Sequence, residues 1–459
     1  MQRTNTFIIE DNCNCNTLFK LADNCSKLWN ELNYERRKVY INNESINWYP
    51  KHLYNKYSVI IGSATAQQII NKNNEAWRSF LALKKMEREC RLPKHITRVS
   101  MPRYWKYKGK RELRIIVRND CYKVIDGYLY LPNGINVKYK GSIRWKGKQG
   151  RLEIFYDRVD KVWRGFMSVN VSNSNNNNNN NNIDSSPRES LTDSNKTTRR
   201  LYIDLGVVNI ATVWYEGLKQ PVAFSGRRLL ADWWYWSRRI SEEQSRLARV
   251  NNANRSRMLS KLYRIRQRRF KHAINAMVKM IVDNAYRLGI REIVIGELKG
   301  IRSNNSNNNN YNNTKANTMV NNFWSYSYII RRVKEKAEEY GINVKEINEH
   351  KTSSICPYCN LEGVRRYRGL FYCKSCNMVI NADVVGVLNI ARKYNNNSNN
   401  KKRTIITIIP SPSFNTRKDR DNWVMAHPLL LRWNGMRWEP RRAMNNQPMN
   451  ILEARILTL

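Results

Sequence analysis

The sequence has no run of about 18 apolar residues, the length that a helix needs to cross a bilayer. It also has no N-terminal stretch in which charged residues precede an apolar segment, as they do in a signal peptide. We therefore expect a soluble intracellular protein without a membrane partner. At 459 residues the chain is long for one compact domain, so we expect two or three domains that fold without disulfide support.

Acidic residues are few for a chain so rich in basic ones. Lysine and arginine number 81 against 37 aspartate and glutamate, which leaves a formal charge of +44. A charge of this size exceeds what solubility requires and indicates a polyanionic partner. Because the chain shows no membrane segment, nucleic acid is the expected polyanion. The 25 tyrosines and 14 tryptophans offer flat faces on which bases stack, although we expect most of them in the core.

The cysteine count of nine is odd, which argues against a fully paired disulfide framework. Four of the nine form two CxxC pairs, CPYC with Cys356 and Cys359 and CKSC with Cys373 and Cys376, separated by 13 residues. Four thiolates at this spacing, with no ligand position left for water, predict one structural Zn²⁺ ion. A redox dithiol is the weaker alternative, because two adjacent pairs satisfy a single ion completely.

The first 171 residues divide into a helical part and a β-rich part. Apolar residues recur at helical spacing from about residue 16 to 85, which predicts a few helices. From about 100 to 171, short alternating runs broken by Gly, Asn and Asp predict a small β-barrel or sandwich. If residues 6–10 form a further strand, the helices, at about 14–95, are an insertion into a β-domain that spans 1–171. We expect strands at 113–117, 128–131, 143–145, 152–156 and 163–169.

Asparagine-rich stretches interrupt the chain in three places. Residues 172–198 include eight consecutive asparagines and almost no apolar residues, so this segment cannot bury enough surface to order itself and is expected to be a disordered linker. The stretches at 303–313 and 395–400 are expected to be solvent-exposed loops. Residues 395–459 form a basic tail with several aromatic residues, to which the sequence assigns neither structure nor function.

Residues 199–394 show a different order of elements. Three short apolar strands are followed by a long basic helical region, a fourth strand, a helix and a fifth strand. This is the element order of an RNase H-like α/β fold, although many α/β domains begin in a similar way. We expect the strands at 201–205, 210–214, 222–224, 292–295 and 343–347, and the helices at 229–288 and 326–340.

Three carboxylates stand at special points of this pattern. Asp204 lies inside an apolar strand, where a buried acid is costly unless a metal ion or a partner meets it. Glu297 closes the strand IVIGEL, and Asp383 lies at the start of the helix in NADVVGVLNIARK. If they converge, these three acids hold two Mg²⁺ or Mn²⁺ ions, one activating water and the other stabilising a leaving oxygen. Taken singly, an acid at the position of Asp383 is more often a helix cap, and one at the position of Glu297 is more often a surface charge at a strand end.

In combination these motifs resemble the TnpB/OrfB family of insertion-sequence proteins. LYIDLGVVNIATV is similar to the first RuvC motif of that family and IVIGELKGIR to the second. The paired CxxC motifs followed by NADVVGVLNIARK resemble its zinc ribbon and third RuvC motif, so the matched order covers about 201–393. The resemblance implies an RNA-guided, metal-dependent DNA endonuclease whose catalytic acids are Asp204, Glu297 and Asp383. DNA and a guide RNA derived from the mobile element are the implied partners.

The resemblance also implies a domain organisation. Residues 1–171 correspond to a β-barrel wedge domain with a helical recognition insertion, and 199–394 to a RuvC domain carrying the zinc ribbon at about 351–378. The implied location is the cytoplasm of a prokaryote, or the host cell of a virus or mobile element. One departure is that Asn381 and Ala382 stand where the third motif usually reads Asp-Arg.

Two other functions stay open at this point. The first is a nucleic-acid-binding protein whose nuclease site has decayed, and the second is a transposase that performs strand transfer with the same acids. Catalysis by a tyrosine or serine nucleophile is a further alternative, but no tyrosine lies in a recognisable constellation with arginine and histidine.

Overall fold

The computed structural model divides the chain into two compact units, Met1–Arg188 and Glu189–Leu459. Each unit has its own sheet and its own core. The predicted linker at 172–198 and the predicted loop at 303–313 lie outside the described residues. The described residues are 1–10, 15–93, 96–107, 109–132, 134–171, 199–218, 220–251, 253–297, 323, 325–349, 352–367, 369–397, 424–426 and 428–440.

A seven-stranded antiparallel sheet forms the body of the first unit. Its strands are β1 (Gln2–Ile9), β4 (Arg114–Val117), β5 (Lys123–Ile125), β6 (Tyr128–Leu131), β7 (Ile135–Lys140), β8 (Lys148–Asp157) and β9 (Val162–Asn170), and β2 (Lys106–Tyr107) and β3 (Lys110–Arg111) form a separate hairpin. The order across the sheet is β4-β8-β9-β1-β7-β6-β5, so the first strand lies in the middle. No pairing between the end strands β4 and β5 is found among the described residues, and closure into a barrel stays a prediction.

Three helices separate β1 from the remaining strands, as the apolar periodicity predicts. They are α1 (Cys15–Ile41), α2 (Lys51–Ile61) and α3 (Ser63–Arg88). The buried face of α1 carries Leu18, Cys25 and Leu28, which share one core with Ile115 and Leu152 of the sheet. The helices therefore interrupt the sheet in sequence and pack on it in space.

The strand expected at 143–145 is wrong, since these residues pair with no strand. Instead, the side chain of the buried Asn5 forms hydrogen bonds with the backbone of this segment. Its Nδ2 donates to the carbonyl oxygen of Trp145 at 2.8 Å, and its Oδ1 accepts from the Trp145 amide at 2.9 Å. A buried side chain has therefore satisfied polar groups that a neighbouring strand would otherwise bind.

The second unit is built on a mixed sheet whose elements follow the order expected of an RNase H-like fold. Its strands are β10 (Arg200–Asp204), β11 (Asn209–Tyr215), β12 (Val222–Ser225), β13 (Glu292–Glu297), β14 (Asn343–Asn348), β19 (Leu429–Trp433) and β20 (Trp438–Pro440). They lie in the order β14-β13-β10-β11-β12-β19-β20. β10, β13 and β14 are parallel, and β11 is antiparallel to both of its neighbours. The long helical region predicted after the third strand is two helices, α4 (Arg227–Asn251) and α5 (Arg257–Arg287).

Helices cover both faces of this sheet. On one face, α4, α5 and α6 (Tyr326–Glu339) share a core with Leu201, Ile203, Ile293 and Ile295. On the other face, α7 (Ala382–Asn397) packs across β10, β11 and β13 and shares a core with Tyr202, Trp214 and Val294. The alternation of the strand residues between these two cores fixes the direction in which each polar side chain at the strand ends points.

Part of the C-terminal tail belongs to this sheet, which the sequence did not indicate. β19 and β20 extend it beyond β12, and Trp438 Nε1 donates to the carbonyl oxygen of Ala273 in α5 at 2.9 Å. The loop expected from residue 395 is also wrong, because α7 continues to Asn397 and the buried Asn395 accepts from Arg200 Nη1 at 3.1 Å. Residues 398–423 and 441–459 lie outside the described residues.

Candidate metal centres

Asp204 stands at the end of β10 on the face that α7 covers. Tyr202, two residues earlier, is buried in the core beneath that helix, so strand alternation directs Asp204 the same way. A β-carbon on Gly386 of α7 would lie 2.5 Å from Asp204 Oδ2, which shows how closely the helix backbone passes the carboxylate. Asp204 is therefore largely buried between a strand end and a helix.

Asp383 reaches the same place from the first turn of α7. The Asn381 side chain caps this helix, because its Oδ1 accepts from the amide of Asp383 at 3.0 Å. Asp383 Oδ2 accepts a hydrogen bond from Asn209 Nδ2 at 2.7 Å, which fixes the orientation of the carboxylate. Residues three apart share a helix face, so Asp383 lies on the side of Gly386 that contacts Asp204.

A third acid, Glu349, joins these two, although the sequence did not single it out. It follows β14 by one residue and lies on the face of Ile347, which packs against the core beneath α7. Its Oε1, Cδ and Cγ occupy the space that a β-carbon on Gly296 would fill. Among the described residues, Oε1 is buried and has no hydrogen-bond partner.

Burial raises the pKa of all three acids and so makes their charged forms less stable in the absence of a cation. Burial raises the pKa of Asp204 well above its usual value, and the charges of Glu349 and Asp383 raise it further. Burial also raises the pKa of Glu349 to about 7. It raises the pKa of Asp383 as well, although the hydrogen bond from Asn209 and the charge of Arg365 offset part of this rise. Carboxylates in such an environment ionise fully only beside a positive charge. The donor set of three oxygen ligands suits Mg²⁺ or Mn²⁺.

Glu297, the third acid predicted from sequence, lies on the opposite face of the sheet. It follows Gly296 directly and lies on the same strand face as Ile293 and Ile295, which pack against α5 and α6. There it lines a groove together with Tyr326, Ser327, Ile330, Arg331 and Lys334 of α6 and Glu346 of β14. The structure thus brings together Asp204 and Asp383 but not Glu297.

The four cysteines of the CxxC pairs form a second cluster next to α7. They are held by the short strands β15 (Val364–Tyr367), β16 (Leu370–Cys373) and β17 (Met378–Asn381), and β18 (Val424–Ala426) pairs with β17. Their ligand atoms all lie within 4.8 Å of one another. Sγ separations are 3.9 Å between Cys356 and Cys376 and 3.4 Å between Cys359 and Cys373. Tetrahedral Zn–S bonds of about 2.3 Å require separations of about 3.8 Å, so the cluster fits one zinc ion.

Hydrogen bonds connect the cysteine cluster to the acids. Asn389 of α7 donates from Nδ2 to the carbonyl oxygens of Thr352 at 2.6 Å and Ile355 at 2.7 Å. The amide and hydroxyl of Thr352 in turn donate to the carbonyl oxygen of Glu349 at 3.0 and 2.9 Å. The segment that leads from β14 into the CxxC cluster is therefore fixed to the helix that carries Asp383.

The chain is similar over most of its length to a viral protein. ORF457 of Acidianus two-tailed virus, described as a TnpB-like protein, is 32% identical over 392 residues, which covers 82% of this chain and 83% of that protein. The chain belongs to the TnpB family. A second TnpB-like protein, aq_aa05 of Aquifex aeolicus, is 34% identical over 131 residues, covering 26% of this chain and 41% of that protein.

Two domain families match separate parts of this TnpB chain. The family OrfB_IS605, described as a probable transposase, matches residues 169–302, and the Cas12f1-like TNB domain matches residues 326–390. The first match contains Asp204 and Glu297. The second contains Glu349, Asp383 and all four cysteines of the CxxC pairs.

Solved structures of Cas12 proteins resemble the TnpB chain weakly. A Cas12f1 complex with single-guide RNA and target DNA gives a TM-score of 0.48 at 14% identity, covering 82% of each chain. CasPhi-2 bound to CRISPR RNA gives 0.42 at 10% identity, covering 85% of this chain and 98% of that one. Both scores are low, and the assignment of the acids rests on the geometry of this chain. No helix within the described residues has the length and apolar character of a membrane span.

Proposed function

We propose that this TnpB protein is an RNA-guided, divalent-metal-dependent DNA endonuclease associated with an insertion sequence. The observation that carries the proposal is the convergence of Asp204 and Asp383 beneath α7. Two acids from distant parts of the sequence meet there in a buried position, which is unfavourable unless a cation neutralises them. The surrounding RNase H-like element order and the adjacent cysteine cluster agree with this function.

The acidic side chains at this site are suited to hold the divalent metal ions that phosphodiester cleavage would require. Two bound Mg²⁺ or Mn²⁺ ions would supply a nucleophilic water and stabilise the leaving oxygen. Asp204 and Asp383 would hold these ions, and Asn209 keeps the Asp383 carboxylate in one orientation. Glu297, the third ligand expected from sequence, lies across the sheet from them.

The basic surface supports RNA and DNA as the partners. Helix α4 exposes Arg238, Arg239 and Arg246 to solvent, and Trp234 and Tyr235 on the same helix are 37% and 57% exposed. Arginines that neutralise phosphates, next to aromatic rings on which bases stack, form the usual surface for a single-stranded or guide nucleic acid. The guide would be transcribed from the mobile element itself.

The domain roles follow from the same proposal. The helices and sheet of the first unit, at 1–171, serve as recognition and wedge domains that hold the guide and the target. Residues 199–397, together with β19 and β20 at 429–440, are the RuvC nuclease domain. The zinc ribbon at about 351–378 holds one structural Zn²⁺ and braces the acids through Thr352 and Asn389. Residues 172–198 connect the two.

The proposal is tested by purifying the protein with its RNA, sequencing that RNA, and supplying a matching DNA with Mg²⁺. We expect cleavage by the native chain, no cleavage by Asp204→Ala, and native activity for the control Asp120→Ala, which removes an exposed acid paired with Arg118. Bound RNA without cleavage by any variant would support a nucleic-acid-binding protein instead. Joined rather than cut DNA products would support a strand-transferring transposase.

A further inference from the structure

We propose that Glu349, and not Glu297, is the third carboxylate of the catalytic metal centre. The inference rests on the proposed nuclease function and deepens it, because it names a residue that the motif pattern does not indicate. It is carried by the juxtaposition of Glu349 with Gly296 and Asp204 on the α7 face of the sheet.

The strand register excludes Glu297 from that face. β10 and β13 are parallel, with Ile203 paired to Ile295, so the next residues, Asp204 and Gly296, stand side by side. Neighbouring residues in parallel strands point the same way, and the following residue points the other way. For the Glu297 carboxylate to reach Asp204, the pairing of β13 would have to shift by one residue. That shift would turn every side chain of β13 to the other face of the sheet, so that Ile293 and Ile295 would leave the core that they form with α5 and α6.

The missing side chain of Gly296 leaves the space that Glu349 uses. β14 lies next to β13 with Ile347 paired to Gly296, and Glu349 is two residues further along on the same face. The three atoms closest to the place of a β-carbon on Gly296 are all from the Glu349 side chain. Any larger residue at 296 would therefore displace this carboxylate. A glycine in a buried strand, costly in conformational entropy, has a structural reason here.

The Glu349 carboxylate is arranged as a ligand and not as part of an ion pair. Its buried Oε1 has no hydrogen-bond partner among the described residues, and its charge acts on the nearby acid Asp204, whose pKa it raises. An orphaned acceptor costs free energy in a folded protein unless a further group satisfies it. A divalent cation held by Glu349 and Asp204 would satisfy the orphaned oxygen and remove the repulsion at the same time.

The backbone of Glu349 is also held in place before any metal binds. Thr352 donates twice to its carbonyl oxygen, and Asn389 of α7 fixes Thr352. Ligands whose position is set by surrounding hydrogen bonds bind a metal with less loss of entropy. Through these hydrogen bonds, the backbone of Glu349 is connected to the segment that leads into the cysteine cluster.

The test compares Glu349→Gln with Glu297→Gln in the full chain bound to its RNA. Mn²⁺ binding is measured by the loss of the free-ion electron paramagnetic resonance signal, and cleavage of the matching DNA is measured in parallel. We expect Glu349→Gln to weaken Mn²⁺ binding at least about 10-fold and cleavage at least about 100-fold, while Glu297→Gln stays near the native chain in both. The reverse pattern would overturn the proposal.

A relocated acid provides a second test that is independent of folding losses. In Gly296→Glu combined with Glu349→Ala, a carboxylate returns to the same space from the neighbouring strand, and Mn²⁺ binding should recover relative to Glu349→Ala alone. Absence of recovery together with native behaviour of Glu349→Gln would refute the role of Glu349. If the native chain neither binds Mn²⁺ nor cuts DNA, the nuclease function itself fails. If cleavage is lost in Asp204→Ala but unchanged in Glu349→Gln, the nuclease function stands and only the role of Glu349 as third carboxylate is refuted.

Discussion

The carboxylate of Asp204 lies against the backbone of Gly386, with Oδ2 only 2.5 Å from the place of a β-carbon on that glycine. The strand end and the helix can approach this closely only because residue 386 has no side chain. The same helix carries Asp383 one turn earlier, so the close approach is what brings the two acids together.

The first prediction concerns this contact. Gly386→Ala should lower cleavage at least about 10-fold, because the new methyl group pushes the Asp204 carboxylate from its position. Alanine favours a helix over glycine by about 1 kcal/mol, so the thermal stability of the chain should fall little, if at all. Cleavage kinetics and melting curves check both points. Unchanged cleavage in this variant would mean that the position of Asp204 against the helix is unimportant.

The second prediction concerns the hydrogen bond from Asn209 to Asp383. Asn209→Ala removes the donor that orients the carboxylate and should reduce cleavage about 10- to 100-fold, with part of the loss recovered at high Mn²⁺. RNA binding should not change, since Asn209 is partly buried, carries no charge, and has its side chain bonded to Asp383. A titration of Mn²⁺ against cleavage rate measures the effect. Equal Mn²⁺ requirements for the variant and the native chain would contradict it.

How far the sequence predicts this site depends on the residue. Asp204 is predictable because an acid inside an apolar strand is unusual. Asp383 lies at a helix start, where acids are common, and it is indicated by the resemblance of NADVVGVLNIARK to the third RuvC motif. Glu349 was not predicted, since it follows a strand whose residues are mostly exposed and it lies in no motif. The local sequence favours Glu297 instead, because this residue closes a strongly apolar strand.

Strand alternation alone did not exclude Glu297. β13 is buried on both faces, as a central parallel strand is, and its sequence gives no sign of which face α7 covers. That information depends on the packing of elements far apart in the chain. For the same reason β19 and β20 were not predicted, because Trp433 and Trp438 become buried only through contact with the sheet and α5.

The third prediction concerns the cysteine cluster. Cys373→Ser should reduce bound zinc below one ion per chain and lower the melting temperature, because binding of structural zinc contributes directly to folding. Cleavage should fall as well, since the cluster supports Glu349 through Thr352. Elemental analysis and thermal melting test this, with Cys90→Ser, at an exposed cysteine outside the CxxC pairs, as the matched control. Equal zinc content in the two variants would rule out the assigned ligands.

The fourth prediction concerns pH. Burial raises the pKa of Glu349 from 4.5 to about 7 in the folded chain, and the pKa of Asp204 is raised in the same direction. The folded state therefore binds more protons than the unfolded state between these values, and stability falls as pH rises from about 4.5 to about 7. Melting of the zinc-containing protein in buffer free of Mg²⁺ and Mn²⁺ should show this fall.

Substitution and metal should each alter that pH dependence. Glu349→Gln removes one of the titrating groups and should flatten the fall in melting temperature. Added Mn²⁺ should raise the melting temperature more at pH 8 than at pH 5.5, because only ionised carboxylates bind the metal. Identical curves for the native chain and Glu349→Gln would show that this carboxyl does not titrate in the folded protein as described.

The most direct test of the central claim is to locate Mn²⁺ in the protein by anomalous X-ray scattering from a crystal of the complex with RNA. We predict density between the carboxylates of Asp204, Asp383 and Glu349 on the α7 face of the sheet. Metal bound at Glu297 in the groove beside α6, or no metal next to Asp204, would contradict the account.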